Sequence, residues 1–334
     1  MPGNRRQGDE VRKFILANIG GNRNIAALTS KNFEISLPAV YKHLDKLAAE
    51  NKVDKKNGRY IIKSFKSQYC YNIDKTLSED SVWEKDIKKH FTGIPQNIWQ
   101  IWVYGFLEIF NNAIEHSRGK KINVIIEENE IYKDMTILDD GIGIFKNIKD
   151  KFKLLDLDDA LLELVKGKRT TDIKRHSGQG IFFSSKVFDE FIIKSDGLIF
   201  NLKQAVHTVP AADNQKYSTL VNMQMSNTSR KNIKKVFDKF STEVYGDFDK
   251  TVIPLHFASS SDLVSRSQAR RVLSGLELFK EVTLDFKDIG YIDQAFADEV
   301  FRVFVNFNPE TIIKVQNANS DVQYMINRAI KTKY

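Results

Sequence analysis

The sequence predicts an α/β chain of several domains, and three observations carry that prediction. The first 66 residues read as short helices and a hairpin, residues 98–117 form an apolar helix followed by alternating patterns, and from Thr251 strands and helices alternate. With 334 residues and 42% apolar content, the chain has material for two or three cores.

Charge is uneven along it. The net charge of +8 lies entirely in residues 1–66, which hold 14 basic and 6 acidic residues and leave 37 of each to the remainder. A segment that basic points to a polyanion partner or to a solvated lysine-rich surface. Cys70 is the single cysteine, so no disulfide or paired-cysteine metal framework is expected. MPGNRRQGDE has no apolar run behind its arginines, and Gln100, Glu108, Asn111 and Asn112 interrupt the most apolar helix. No export signal or membrane span is expected, and a cytoplasmic location follows.

Residues 9–19 (EVRKFILANIG) set Val11, Phe14, Ile15 and Ile19 at helical spacing, closed by Gly20 and Gly21. A second short helix is expected over 24–31. A third starts after Ser36, whose hydroxyl can cap it, with Leu37, Val40, Leu44 and Leu47 as its buried stripe. VDKKNGRYIIKSF makes a strand pair turned at Asn57-Gly58. Three helices and a basic hairpin resemble a winged helix-turn-helix domain, here residues 1–66. That resemblance implies a third helix in the major groove of duplex DNA, with Tyr41, Lys42, Asp45 and Lys46 facing it, and a wing whose Lys55, Lys56 and Arg59 meet phosphates. Winged helices also bind proteins; the charge excess favours DNA.

Residues 67–95 read as a mixed connector, helical from Ser78. It is too short for the two-helix hairpin that carries the phosphoacceptor histidine of sensor kinases. His90 therefore reads as a surface residue, and autokinase activity is disfavoured.

In IWQIWVYGFLEIFNNAIEHS (98–117), Glu108 and Asn112 stand one helical turn apart on one face. Burying such groups unpaired costs about 1 to 3 kcal/mol each, so a metal-phosphate ligand is expected there. A core helix whose polar residues meet water is the alternative. DDGIGIF (139–145) follows the alternating strand INVIIEENEIYKDMTIL, and HSGQGIFFSSKVFD (176–189) runs from glycines into an apolar helix. Glycines after a strand let backbone approach a flat base, and a GxG at a helix start points free N–H groups at phosphate.

The ordered set ExxxN, DxGxG and GxG resembles the N box and glycine boxes of the GHKL ATPase superfamily, over about residues 80–225. The resemblance implies a Bergerat sandwich of helices on a mixed sheet within a domain spanning 67–228, with ATP and Mg²⁺ as ligands. Glu108 is then the general base, Asn112 the metal ligand, and Asp139 the acceptor for the adenine amino group. Gly141 and Gly143 let the chain turn beneath the base, while Gly178, Gln179 and Gly180 present N–H groups to phosphates. Between the glycine boxes, Lys146–Ser177 corresponds to a mobile lid in which Lys168, Arg169, Thr170, Thr171 and Arg175 suit a triphosphate; an ordinary basic loop is the alternative. Glu115 stands where related kinases often carry a basic residue, so phosphate contacts near it do not transfer.

FIIKSDGLIFNLKQAVHTV reads as a strand pair turned at Asp196-Gly197, YSTLVNMQMS as a strand closing the sheet, and Ser229–Val244 as an amphipathic helix leading out. Residues 229–334 then form a linker helix and an α/β layer of largely parallel strands, with Pro254 placing TVIPLHFA at an edge. This segment resembles a STAS-like domain, of the uncharacterised type that follows such ATPases, which implies a protein partner. A homodimer is compatible with that. Where antagonists of this class carry a phosphorylatable serine, the chain has Asp293, Gln294 and Ala295, leaving Ser265 and Ser267 as the nearby hydroxyls. The reading is an ATP-hydrolysing regulator of transcription; the alternatives are a protein serine kinase acting on a separate partner and a non-hydrolysing ATP sensor.

Overall fold

The computed structural model describes residues 3–20, 24–168, 179–202, 217–243, 247–259 and 262–331. It is a mixed α/β molecule with several sheets. Three helices come first, α1 (Gly3–Asn18), α2 (Ile25–Phe33) and α3 (Leu37–Ala49), then the hairpin β1 (Val53–Lys56) and β2 (Arg59–Ile62). Asn24 and Ser36 cap α2 and α3 by accepting from Ala27 N and Ala39 N. Asn57 and Gly58 both take positive φ, 50° and 75°, as the two-residue turn requires. Val11, Ile15, Ile19, Val40, Leu44, Leu47 and Val53 form a small core of their own. Leu37 does not join it. At the first position of α3 its side chain tilts back past the edge of that core, and it is 46% exposed.

A six-stranded sheet follows in the order β3-β4-β5-β8-β6-β7. Its strands are β3 (Phe65–Asn72), β4 (Lys121–Glu128), β5 (Tyr132–Asp139), β6 (Glu190–Ser195), β7 (Leu198–Asn201) and β8 (Thr219–Ser226). The stretch expected as a connector is thus an edge strand, paired along its length with β4. The single strand expected over 122–138 is a hairpin of two, and β8 lies between β5 and β6 rather than closing the sheet. Every pairing among these described strands is antiparallel, against the mixed sheet expected. The crossover from β5 to β6 leaves a gap of one strand, and β8 fills it.

One face of the sheet is closed by helices. α4 (Glu79–Val82) continues through π and 3₁₀ turns to Phe91, and α5 (Gln96–His116) buries Ile98, Ile101, Trp102, Phe106, Ile109 and Phe110. α6 (Ile144–Phe152), α7 (Leu157–Lys166) and α8 (Gly180–Val187) fill the crossover. His90 is not a free surface group: its ring lies 2.7 Å from the Tyr69 hydroxyl and 3.0 Å from Glu128. Burial pushes the Glu128 carboxyl up, but hydrogen bonds from His90 and Lys133 outweigh it and hold the group below the usual carboxylate range.

The segment 146–177, expected as a lid with a basic loop as the alternative, carries most of α6 and all of α7 in its described part. α7 is buried from Asp159 to Lys166, with Asp156 as its N-cap and Gly167 as its left-handed C-cap. The linker helix is shorter than expected, α9 (Ile233–Lys239). Then come β9 (Lys250–Pro254), α10 (Arg266–Leu273), β10 (Glu281–Asp285), α11 (Gln294–Asp298), a π turn into α12 (Val305–Phe307), β11 (Ile312–Gln316) and α13 (Ser320–Lys331). β9 and β11 flank β10 in parallel, so the Pro254 strand is at an edge. The apolar core under the six-stranded sheet continues through α7, α8 and Phe248 into that of this three-stranded sheet.

Candidate functional site

The start of α8 meets the middle of α5, and the loop from β5 into α6 passes under the C-terminal end of α5. Glu108 and Asn112 are half-buried on α5. The Glu108 carboxylate lies directly against Gly180: a β-carbon on that glycine would be 2.0 Å from Glu108 Oε2. Any other residue at 180 would displace the acid or the helix start. Glu108 is thereby held at the first turn of α8, where backbone N–H groups lack intrahelical acceptors. Tyr104, one turn back on α5, has its phenol pushed up by burial and then by the Glu108 charge.

Asp139 ends β5 and is 6% exposed. Its carboxylate accepts from Gly141 N at 3.0 Å and from the Thr219 hydroxyl across the sheet. Burial pushes its pKa up to about 6, those two hydrogen bonds oppose the rise, and Asp140 and Asp196 add to it. Gly141 passes under the end of α5, where a β-carbon would fall 2.0 Å from Ser117 O; Ile142 N donates to that oxygen at 2.9 Å. Gly143 takes φ 88°, and the space its side chain would need holds the Asp196 carboxylate, 2.2 Å from an added β-carbon. Asp196 in turn accepts from Lys146 N at 3.1 Å, and Ser195 Oγ accepts from Ile144 N at 3.1 Å. The β6–β7 turn therefore caps α6 and fixes the glycine loop.

Glu108 and Gly180 are thus together at the middle of α5, and Gly141 lies against Ser117 just past its end. Gln179 precedes α8 as its N-cap. Arg169, Thr170, Thr171, Arg175 and Gly178 lie outside the described residues. Lys168 is committed elsewhere: its ammonium donates to the Leu278 carbonyl and lies 4.8 Å over the Phe279 ring. Sequence reasoning missed Asp196, Ser195 and Thr219. Asp196-Gly197 signals a turn, and no local pattern says that the turn folds back onto residues 143–146.

No group of three or more His, Cys, Asp or Glu side chains suited to a metal occurs among the described residues. A magnesium ion at Asn112 would therefore draw most of its ligands from phosphate oxygens and water. The half-buried amide, the acid beside it and the helix start fit such a complex.

At the other end of the chain, Tyr41, Lys42 and Lys46 are exposed on α3, and Lys55, Lys56 and Arg59 are exposed on the hairpin. The Tyr60 hydroxyl bonds to Asp45, which joins the hairpin to α3 and occupies that acid. In the C-terminal layer, Ser265 accepts from Gln268 N at 3.1 Å in a capping box, so its hydroxyl already serves α10.

Residues 268–323 match the STAS-like domain of unknown function (DUF4325). The match covers most of α10, then β10, α11, α12, β11 and the first turn of α13. The STAS-like domain is the C-terminal module of this chain. No curated protein matches the chain. Among the described residues, no helix is long and apolar enough to cross a membrane.

Proposed function

We propose that the chain binds and hydrolyses ATP at the α5–β5–α8 site in the manner of GHKL ATPases, binds duplex DNA through an N-terminal winged helix, and signals through its STAS-like domain. The packing of Glu108 on Gly180 carries this reading. It brings the acid of the ExxxN helix to the start of the GxG helix, two motifs 72 residues apart. A six-stranded sheet with helices on one face supports a Bergerat-type sandwich, with antiparallel pairing in place of the mixed sheet expected.

In this reading Asp139 accepts from the adenine amino group, and Gly141 lets the loop after β5 pack on the end of α5 beside it. The first turn of α8 donates N–H groups to the terminal phosphates. Magnesium, held by the Asn112 amide oxygen, supplies charge neutralisation on the triphosphate. Glu108 orients the attacking water and takes its proton. The protein incubated with ATP labelled on its γ-phosphate should release label as free phosphate. Label on protein would instead mark a kinase, and binding with neither would mark a sensor.

The exposed basic side chains of α3 and the hairpin, joined by Asp45 and Tyr60, support the DNA reading. Reversing the charge of Lys55, Lys56 and Arg59 should weaken binding of all duplexes alike, and parent affinity should fall steeply with salt as counterion release loses its drive. Filter binding across a salt series checks both; salt-independent binding would point to a protein partner for this domain.

A further inference from the structure

α7 is buried against the STAS-like domain by polar contacts as well as apolar ones. Lys166, 2% exposed, bonds through its ammonium to Glu163 at 2.7 Å, to Arg271 O at 2.9 Å and to Ser274 O at 2.8 Å. Its own carbonyl accepts from the Thr251 hydroxyl on β9 at 3.1 Å. Arg271 reaches back to Asp159 and Asp156 at the start of α7, and Lys168 reaches Leu278 O. A buried ammonium with three acceptors is specific to one placement of two elements, since shifting either strands a charge.

From Lys166 the contacts run on to the site. Gly167 ends α7 so close to α8 that an added β-carbon would be 2.4 Å from the Phe182 ring. Phe182 packs on Phe248 and Phe240 with ring centroids 4.6 and 4.9 Å away, and Phe248 packs on Phe279 beside β10. Two residues before Phe182 is Gly180, which meets the Glu108 carboxylate.

Resting on the nucleotide reading above, we propose that Lys166 is a positioning residue. It transmits the placement of the STAS-like domain to the Gly180–Glu108 contact, so the state of that domain sets ATP turnover and ATP in turn alters the domain. The coupling is reciprocal, as linkage between two binding events requires. Whatever engages the domain near Arg271–Leu278 thereby gains control of hydrolysis.

The test uses the full chain and the double variant Glu163→Leu/Lys166→Met, which replaces the buried pair by apolar side chains of similar size and avoids leaving one charge alone. It should bind a non-hydrolysable ATP analogue with magnesium within about threefold of parent, and turn over ATP at least about 10-fold more slowly, since small misplacements of reacting groups cost rate. In the parent, the analogue should change hydrogen exchange over residues 266–278, and in the double variant that response should vanish. A purely structural role would move thermal stability but not this response. Parent that binds the analogue without any change over 266–278, or a double variant that keeps the parental turnover and response, overturns the coupling and leaves the nucleotide site standing. Parent that does not bind the analogue overturns the site reading, and the coupling with it.

Discussion

Glu108→Ala should leave ATP bound within a few-fold of parent affinity and cut hydrolysis by about 10²- to 10⁴-fold, the usual contribution of a positioned general base. Binding is spared because, in the proposed site, the acid serves the attacking water rather than the base or ribose. The truncation only opens space beside Gly180, so α8 keeps its start. Paired measurements of analogue affinity and phosphate release separate the two effects. Hydrolysis at the parental rate would remove Glu108 from the chemistry.

Asp139→Asn should act on binding and, with opposite sign, on stability. Loss of a charge-assisted hydrogen bond to the adenine amino group is worth about 1.5 to 3 kcal/mol, or roughly 10- to 100-fold in affinity. The stability effect follows from linkage. The folded-state pKa of about 6 lies above the ordinary 3.8, so the folded protein binds more protons than the unfolded chain between those values. The Asp139 contribution to stability is therefore fullest below pH 4 and is lost as pH rises to 6. Above pH 6 the variant escapes that loss, and the ATP-free protein should be stabilised by at most about 3 kcal/mol. ATP affinity should run the other way, rising with pH through 6 as the carboxylate ionises. Comparing parent with variant at each pH cancels the titration of ATP itself. Thermal unfolding from pH 4 to 8 checks the first effect, and a parent curve parallel to the variant's would show that Asp139 does not titrate in this window.

The elements that local chemistry specifies were legible. Ser36 caps α3, Asn57-Gly58 and Asp196-Gly197 turn hairpins, and Pro254 keeps β9 at an edge. Elements that depend on distant partners were not. β3 alternates inward Ser67, Tyr69 and Tyr71 with outward Lys66, Gln68 and Cys70, yet the inward set is polar or amphipathic because it meets His90, Asp86 and the rim of the core. α7 carried its own signals, Asp156 before it and Gly167 after it, but the segment read as part of a lid or a basic loop; its polar burial against the STAS-like domain has no local signal.

The site followed the same division. Glu108, Asn112, Asp139 and the glycines stand out by type and order, and Gly141, Gly143 and Gly180 each sit where a side chain would meet a close neighbour. The capping of the glycine loop by Ser195 and Asp196 and the capture of Lys168 by Leu278 are contacts across 50 and 110 residues. Short-range pattern holds no record of them.

Isothermal titration of the parent protein with ATP and with GTP, in magnesium at pH 7.5, tests the nucleotide site most directly. In the proposed site an ionised Asp139 would accept from the amino group of adenine and oppose the carbonyl oxygen that guanine presents at the same position. One ATP should therefore bind per chain, with GTP at least about 10-fold weaker. No heat with ATP, or equal affinity for both nucleotides, would contradict the assignment of this site.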